Sequence, residues 1–334
     1  MSIVPYAKII TYQLQTLELG EVPVSGVQSV SIDTSYNVSS VRNKFNPFKT
    51  GATNLMYTKP DVSVSITKFL SNNVLPVPLD QRVSGIRGKN ILPTGNVSQP
   101  IDIDLKILDR EGSNSESGII GFKIKDAILN SVSYNFSTDG NFEEQLSFSS
   151  HLIQSGIIEE KYKESETRDY EFHTGVVKRR KDFYISKVPF EISEMLNNGS
   201  ILMGVNFSVG FSYGNFPSYG AFHSYSDKYV QYPYDITCTF EVLDRGFYNK
   251  PSGEYFVTQA SGNPISIQQE RSIYEAIPSN DLEFGISGYM NIYVGSGIYL
   301  QSRNRTGGEA GSNSYTTYSY TYKQDNSDFN ISLL

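Results

Sequence analysis

The chain alternates. Val62-Ser63-Val64-Ser65-Ile66-Thr67 sets an apolar side chain at every second position, and Ile101-Asp102-Ile103-Asp104-Leu105-Lys106-Ile107 does the same. Successive side chains of a strand point to opposite faces, so a period of two predicts strands with one buried and one polar face. Val27-Gln28-Ser29-Val30-Ser31-Ile32-Asp33 follows the pattern more loosely. Ile128 to Phe136 and Phe142 to Phe148 flank Ser137-Thr138-Asp139-Gly140, whose Asp-Gly pair predicts a tight hairpin. Helical periodicity is scarce. The best candidate runs from Ile265 to Ile277, with Ile267, Ile273, Tyr274 and Ile277 roughly on one face and Pro278 ending it. The pattern predicts an all-β fold with minor helix.

The pattern also repeats. Asp61-Val62-Ser63-Val64-Ser65-Ile66 matches Asp235-Ile236-Thr237-Cys238-Thr239-Phe240 at every position, an offset of 174 residues (235 − 61). Gly26-Val27-Gln28 matches Gly204-Val205-Asn206 at an offset of 178 (204 − 26). Two long irregular segments, Val38 to Lys59 and Tyr213 to Pro233, lie between the matched strands. The hairpin at Asp139-Gly140 has a counterpart around Gly307-Gly308, leading into Tyr315-Thr316-Thr317-Tyr318-Ser319-Tyr320. From Glu159 to Asp182 the chain is dense in charge of both signs and poor in aliphatics, which reads as a linker or extended arm. Within it, the basic cluster Lys178-Arg179-Arg180-Lys181 reads as solvated rather than as a nucleic-acid patch. The expected organisation is a diverged duplication: one β domain over residues 1–157, a charged linker or arm over 158–183, and a second β domain over 184–334. Two copies are too few for a solenoid.

Composition narrows the chemistry. A length of 334 residues suits two domains. Lys plus Arg is 28 against 35 for Asp plus Glu, a net charge of −7, which disfavours a basic nucleic-acid binder. Cys238 is the single cysteine, so no disulfide forms within the chain; it stands where the first copy has Val64 and is expected to be a small buried apolar group. His151, His173 and His223 lie in unrelated contexts without metal-ligand spacing, and no Cys-x-x-Cys pair exists, so neither metal nor cofactor is expected. Gly85-Ile86-Arg87-Gly88-Lys89-Asn90 lacks the spacing of a phosphate loop, and no Gly-x-Ser-x-Gly elbow occurs. Glu143 and Glu144 are neighbours on a strand, face opposite ways and cannot share a substrate. No catalytic residue is assigned, and the chain is not expected to be an enzyme. No run approaches the ~18 apolar residues of a membrane helix, and the opening MSIVPYAKIITYQLQ carries Pro5 and Lys8 where an export signal needs apolar residues.

Aromatic residues are the unusual feature. Trp is absent while Tyr reaches 24, and Tyr213, Phe216, Tyr219, Phe222, Tyr225, Tyr229, Tyr232 and Tyr234 crowd one Gly- and Pro-containing segment. Tyrosine in such a setting supplies rigid contact area at low entropic cost. Three roles fit it: contact between subunits, packing of the loop on its own core, or stacking against a glycan.

The order of these segments resembles a known family. Ser25-Gly26-Val27-Gln28-Ser29-Val30-Ser31-Ile32-Asp33-Thr34-Ser35-Tyr36-Asn37, then Lys59-Pro60-Asp61-Val62-Ser63-Val64-Ser65-Ile66-Thr67, then Ala127 to Phe136 and Asp139-Gly140-Asn141-Phe142-Glu143-Glu144-Gln145-Leu146 are similar to the tail-tube proteins of tailed bacteriophages and contractile injection systems. The resemblance covers most of residues 20 to 155 and reaches the second half only through its similarity to the first. It implies that each half is a tube domain, a β-sandwich that lends one sheet to a closed barrel, so that six domains ring a channel. It implies that Val38 to Lys59 and Tyr213 to Pro233 stack one ring on the next, with Phe45, Phe48, Met56, Tyr57, Phe216, Tyr219, Phe222, Tyr225 and Tyr229 at ring or subunit contacts. The implied partners are further copies of the chain, as a trimer with pseudo-sixfold symmetry or a hexamer, and other tail proteins such as sheath, terminator or baseplate. DNA would pass through the lumen without specific binding, and the particle would be a virion tail assembled in the host cytoplasm. The alternatives are a baseplate hub or tube adaptor, and a β-rich receptor-binding adhesin that uses the Tyr-rich loop.

Overall fold

The structure is a computed structural model and describes residues 13–20, 22–42, 53–72, 75–80, 92–93, 100–109, 119–159, 176–197, 199–215, 228–244, 281–295, 297–306, 316–324 and 328–334. Almost all of these residues are strand, as the period of two predicts. The first half supplies β1 (Gln13–Leu19), β2 (Val22–Pro23), β3 (Val27–Arg42), β4 (Thr53–Phe69), β5 (Ile101–Asp109), β6 (Ile119–Ser137), β7 (Glu143–Ser150) and β8 (Leu152–Glu159). The second supplies β9 (Phe183–Lys187), β10 (Ile201–Asn215), β11 (Lys228–Asp244), β12 (Leu282–Ile286), β13 (Met290–Val294), β14 (Ile298–Thr306), β15 (Thr316–Gln324) and β16 (Phe329–Leu333).

Eight strands form one antiparallel run in the order β3-β4-β7-β6-β10-β11-β15-β14. Two shorter sheets accompany it, β2-β1-β5-β6-β8 and β9-β12-β13-β16. Strand β6 belongs to two sheets: Ile120 to Ala127 pair with β5, and Ile128 to Asn135 pair with β7. Between them Asp126 takes a positive φ of 52°, a conformation that aspartate tolerates better than bulkier residues, and its N–H donates to Asp102 Oδ1 at 3.0 Å. In the second half the same path is broken into β13 and β14 around Gly297, whose φ is 92°.

The two halves repeat one strand order. In the short sheets β1-β5-β6-β8 corresponds to β9-β12-β13-β16, and in the long run β3-β4-β7-β6 corresponds to β10-β11-β15-β14. The irregularities repeat as well. A register shift at Gln28 in β3 recurs at Met203 in β10, an offset of 175 (203 − 28), and one at Asn130 in β6 recurs at Gln301 in β14, an offset of 171 (301 − 130). These positions correct one sequence match. Gly204 pairs with Glu241, whose counterpart Thr67 pairs with Ser29, so Gly204 corresponds to Ser29 and not to Gly26. Both copies carry this bulge at the equivalent place, so the offset of 175 holds across it and the match at 178 is three residues out of register (178 − 175).

Alternation sorts the long run into an apolar face and a polar one. Val62, Val64 and Ile66 of β4 and Ile236, Cys238 and Phe240 of β11 are all buried, while Asp61, Ser63, Ser65 and Asp235 are exposed. Cys238 thus occupies the inward position expected of it, and burial pushes its thiol well above the ordinary range. The Asp139-Gly140 hairpin joins β6 to β7 as predicted. The only α-helix among the described residues is α1 (Phe190–Asn197), which buries Ile192 and Met195, follows Pro189 and stops before Gly199 at φ 92°. Two turns are too short for a visible helical period, which is why the sequence did not reveal it. The helix predicted from Ile265 to Ile277 lies outside the described residues.

Part of the charged segment is fastened to the first half. Val177 bridges Ser71, Lys178 N–H donates to Leu70 O at 2.8 Å, and Phe142 N–H donates to Lys178 O at 3.0 Å. Arg180 and Lys181 are exposed, as a solvated cluster requires. Lys178 is not: it is buried, with its ammonium 5.4 Å from the centre of the Tyr289 ring. The sequence-based reading of this lysine as solvated fails because its backbone is held at the end of β4, which draws the side chain inside.

Candidate assembly edges

The long run has one joint between the halves and two ends. At the joint, β6 and β10 pair from Ser131↔Gly210 to Ser137↔Gly204, with Val132 opposite Val209, Tyr134 opposite Phe207 and Phe136 opposite Val205 on the buried face. The second half covers this joint. The Phe136 ring lies 5.4 Å from Phe183 of β9 and 6.0 Å from Phe284 of β12, and Phe284 is 6.1 Å from Phe207 and 6.3 Å from Phe240. Buried aromatic pairs at such separations add to their area burial, so the joint belongs to the core.

Beside the joint lies a buried charged network. Lys68 of β4 and Glu144 of β7 are cross-strand partners, 1% and 0% exposed, with 3.3 Å between Nζ and Oε2. Tyr134 Oη donates to Glu144 Oε1 at 2.9 Å, the Val77 N–H donates to both Glu144 oxygens at 3.1 and 3.0 Å, and Lys68 Nζ donates to Leu75 O at 2.6 Å. Burial, then the Glu144 charge and hydrogen bond, push the Tyr134 hydroxyl well above its ordinary range. Each polar side-chain atom of the network has a partner, and the bonds to Leu75 O and the Val77 N–H clamp residues 75–80 onto the sheet.

The opposite face of the run is mostly polar, with Phe69, Ile128 and Leu243 toward the strand ends. One row crosses it as Asn135, Asn206, Thr239, Thr321 and Ser302, with the Thr239 and Thr321 hydroxyls 3.1 Å apart. Asp33, Asp61, Glu143, Asp235 and Glu241 stand on the same face, and Lys323 there lies 2.9 Å from Asp235. The ends of the run are β3 and β14. Among the described residues β3 pairs only with β4, and β14 only with β15. An edge strand presents backbone donors and acceptors in a row, a template for a further strand.

Of the proposed contact residues, Phe45, Phe48, Phe216, Tyr219, Phe222 and Tyr225 lie outside the described residues. Met56 and Tyr57 belong to β4, paired with Ser39 and Val38. Tyr229 belongs to β11 and is half-buried, its ring over Gly214, where a Cβ would collide with it. Neighbouring tyrosines serve the chain's own core: Tyr213 Oη donates to Leu129 O at 2.6 Å, and Tyr234 Oη donates to Pro93 O at 3.2 Å. Glu143 and Glu144 face opposite ways as the sequence implies, but the sequence reading missed Lys68 and the burial of Glu144, although both fall in the inward phase of their strands.

No family model matches the chain, and no curated protein matches it. Among solved structures the chain is similar to the cap that terminates the tube of an anti-feeding prophage, determined by electron cryomicroscopy. The likeness has 17% identity and a TM-score of 0.31, and covers 46% of this chain and 96% of that one.

Proposed function

We propose that the chain is a structural subunit of a phage-like tail, forming a ring of the tube through which DNA passes. The observation that carries this reading is the joint between β6 and β10: two repeats of one strand order, set edge to edge, already make one continuous sheet and leave an edge open at each end. Repeating the same joint between chains extends the sheet until it closes, and closure removes the exposed edges. Three chains of eight strands supply twenty-four, well beyond the 16–18 strands that suffice to leave an aqueous channel. The apolar face is covered by the short sheets, so the polar face turns to the lumen. Its carboxylates and uncharged Ser, Thr and Asn repel or ignore phosphates, whose binding depends on Lys and Arg. The resemblance noted in the sequence points to the same assembly. The two halves then act as two tube domains, the trimer mimics sixfold symmetry, and the role is structural, without catalysis.

Native mass spectrometry and electron microscopy of the purified chain test this. Rings or short tubes built of trimers are expected; a monomer at every concentration overturns the reading.

A further inference from the structure

The joint inside the chain also fixes how two chains would meet, an inference that rests on the ring reading above. By the repeat offsets, β14 stands where β6 stands and β3 where β10 stands. Ser302 takes the place of Ser131 (302 − 131 = 171), and Ser35 takes that of Gly210 (210 − 35 = 175). Ser131 and Gly210 are partners at the joint. We infer that β14 of one chain pairs antiparallel with β3 of a second copy in the register Ser302–Ser35, Arg303–Thr34, Asn304–Asp33 and Thr306–Ser31, and that this joint is a polar, reversible counterpart of the apolar one within the chain.

The side chains agree with a register they did not help to set. On the polar face the Asn304 amide meets the Asp33 carboxylate, which it can serve as a donor, and hydroxyls meet at Ser302–Ser35 and Thr306–Ser31. No like charges oppose. A slip of one residue would bring Ile32 to Asn304 and mix the two faces.

The buried face shows the difference. Inside the chain it reads Val132–Val209 and Phe136–Val205. At the open edges the residues that correspond to Val132 and Val209 are Arg303 and Thr34, both exposed. Arg303 is the cross-strand partner of buried Tyr320, so a charge stands on the apolar face at the outermost strand. Natural sheets use inward charges on edge strands to prevent indiscriminate pairing. Backbone hydrogen bonds and polar side chains hold the outer joint, so a free chain stays soluble.

Paired cysteines in the full chain test the register, with buried Cys238 contributing no background. Ser35→Cys with Ser302→Cys is compared with Ser31→Cys plus Ser302→Cys after assembly and mild oxidation. The first pair is expected to give a reductant-sensitive trimer, at least ten-fold more abundant than in the second. Rings that cross-link equally in both, or only in the second, overturn the register and leave the ring reading standing. A chain that never associates overturns both. Wild-type protein gives an independent readout: amides of residues 29–35 and 302–306 should gain exchange protection together on assembly, and rings in which either segment stays unprotected contradict the pairing.

Discussion

Lys68 and Glu144 face each other across β4 and β7, fully buried, with 3.3 Å between ammonium and carboxylate. Removing one member of such a pair strands the other without water, at about 3–5 kcal/mol, whereas removing both is often nearly neutral. Lys68→Met is therefore expected to lower stability by about 3–5 kcal/mol. Adding Glu144→Gln, which keeps an acceptor for Tyr134 and the Val77 N–H, should restore more than half of that. Urea unfolding of the two single variants and the double closes the cycle. Effects that add within about 0.5 kcal/mol would show that the two side chains do not act as a pair.

Alkaline pH should unfold the chain earlier than its surface tyrosines require. Burial raises the hydroxyls of Tyr134, Tyr213, Tyr234 and Tyr289, and the Glu144 charge raises Tyr134 and Tyr289 further. A raised folded pKa favours the neutral form, so its contribution to stability is complete below the unfolded value near 10 and drains away as pH climbs past it. Buried Cys238, raised in the same way, begins to cost stability somewhat lower. Melting temperature measured from about pH 8 upward should be level and then fall steeply, with a share of the tyrosinate absorbance appearing only on unfolding. Complete tyrosine titration in a chain that remains folded would contradict this.

The strands, the hairpin at Asp139-Gly140 and the inward Cys238 were all legible, because each is written in a local period of two. The charged network was legible in principle. Lys68 follows Val62, Val64 and Ile66 in phase, and Glu144 precedes Leu146 and Phe148 in phase, but an isolated charge reads as solvated until its partner strand is known. The partnership of β6 with β10 left no local trace. Alternation fixes which face of a strand is buried and leaves its neighbour open, and here the neighbours are separated by the whole charged segment. The match of Gly26 with Gly204 failed because Gly-Val is too short a pattern to fix a register, which the pairing of Gly204 with Glu241 and of Ser29 with Thr67 sets three residues away.

Phe136 couples the halves. It is 3% exposed and stacks among Phe142, Phe183 and Phe284 at 5.2 to 6.0 Å. Phe136→Ala should cost about 3–5 kcal/mol. Because the lost contacts reach Phe183 and Phe284, thermal unfolding of the second half should shift together with that of the first. Calorimetry showing a second-half transition at its original temperature would deny the coupling.

Charge at position 34 should tune assembly. Thr34 is exposed on β3 and, in the register inferred above, meets Arg303 of the next chain. Thr34→Lys sets like charges opposite each other and Thr34→Glu sets opposite ones, each a change of roughly 0.2–1 kcal/mol. Sedimentation at low salt should show association weakened by roughly two- to five-fold in the first variant and strengthened comparably in the second. The difference should fade at high salt. Identical association by both variants would argue against the contact.

Holding the joint of β6 and β10 within a single polypeptide separates two surfaces that a shorter, unduplicated chain would have to encode with one set of codons. Val209 can change to suit Val132 without altering Thr34, and Thr34 can drift toward a new neighbour without touching Val209. In the ring proposed above, a chain of two repeats can therefore specialise each interface independently, and heredity rather than geometry decides which of the two stays permanent.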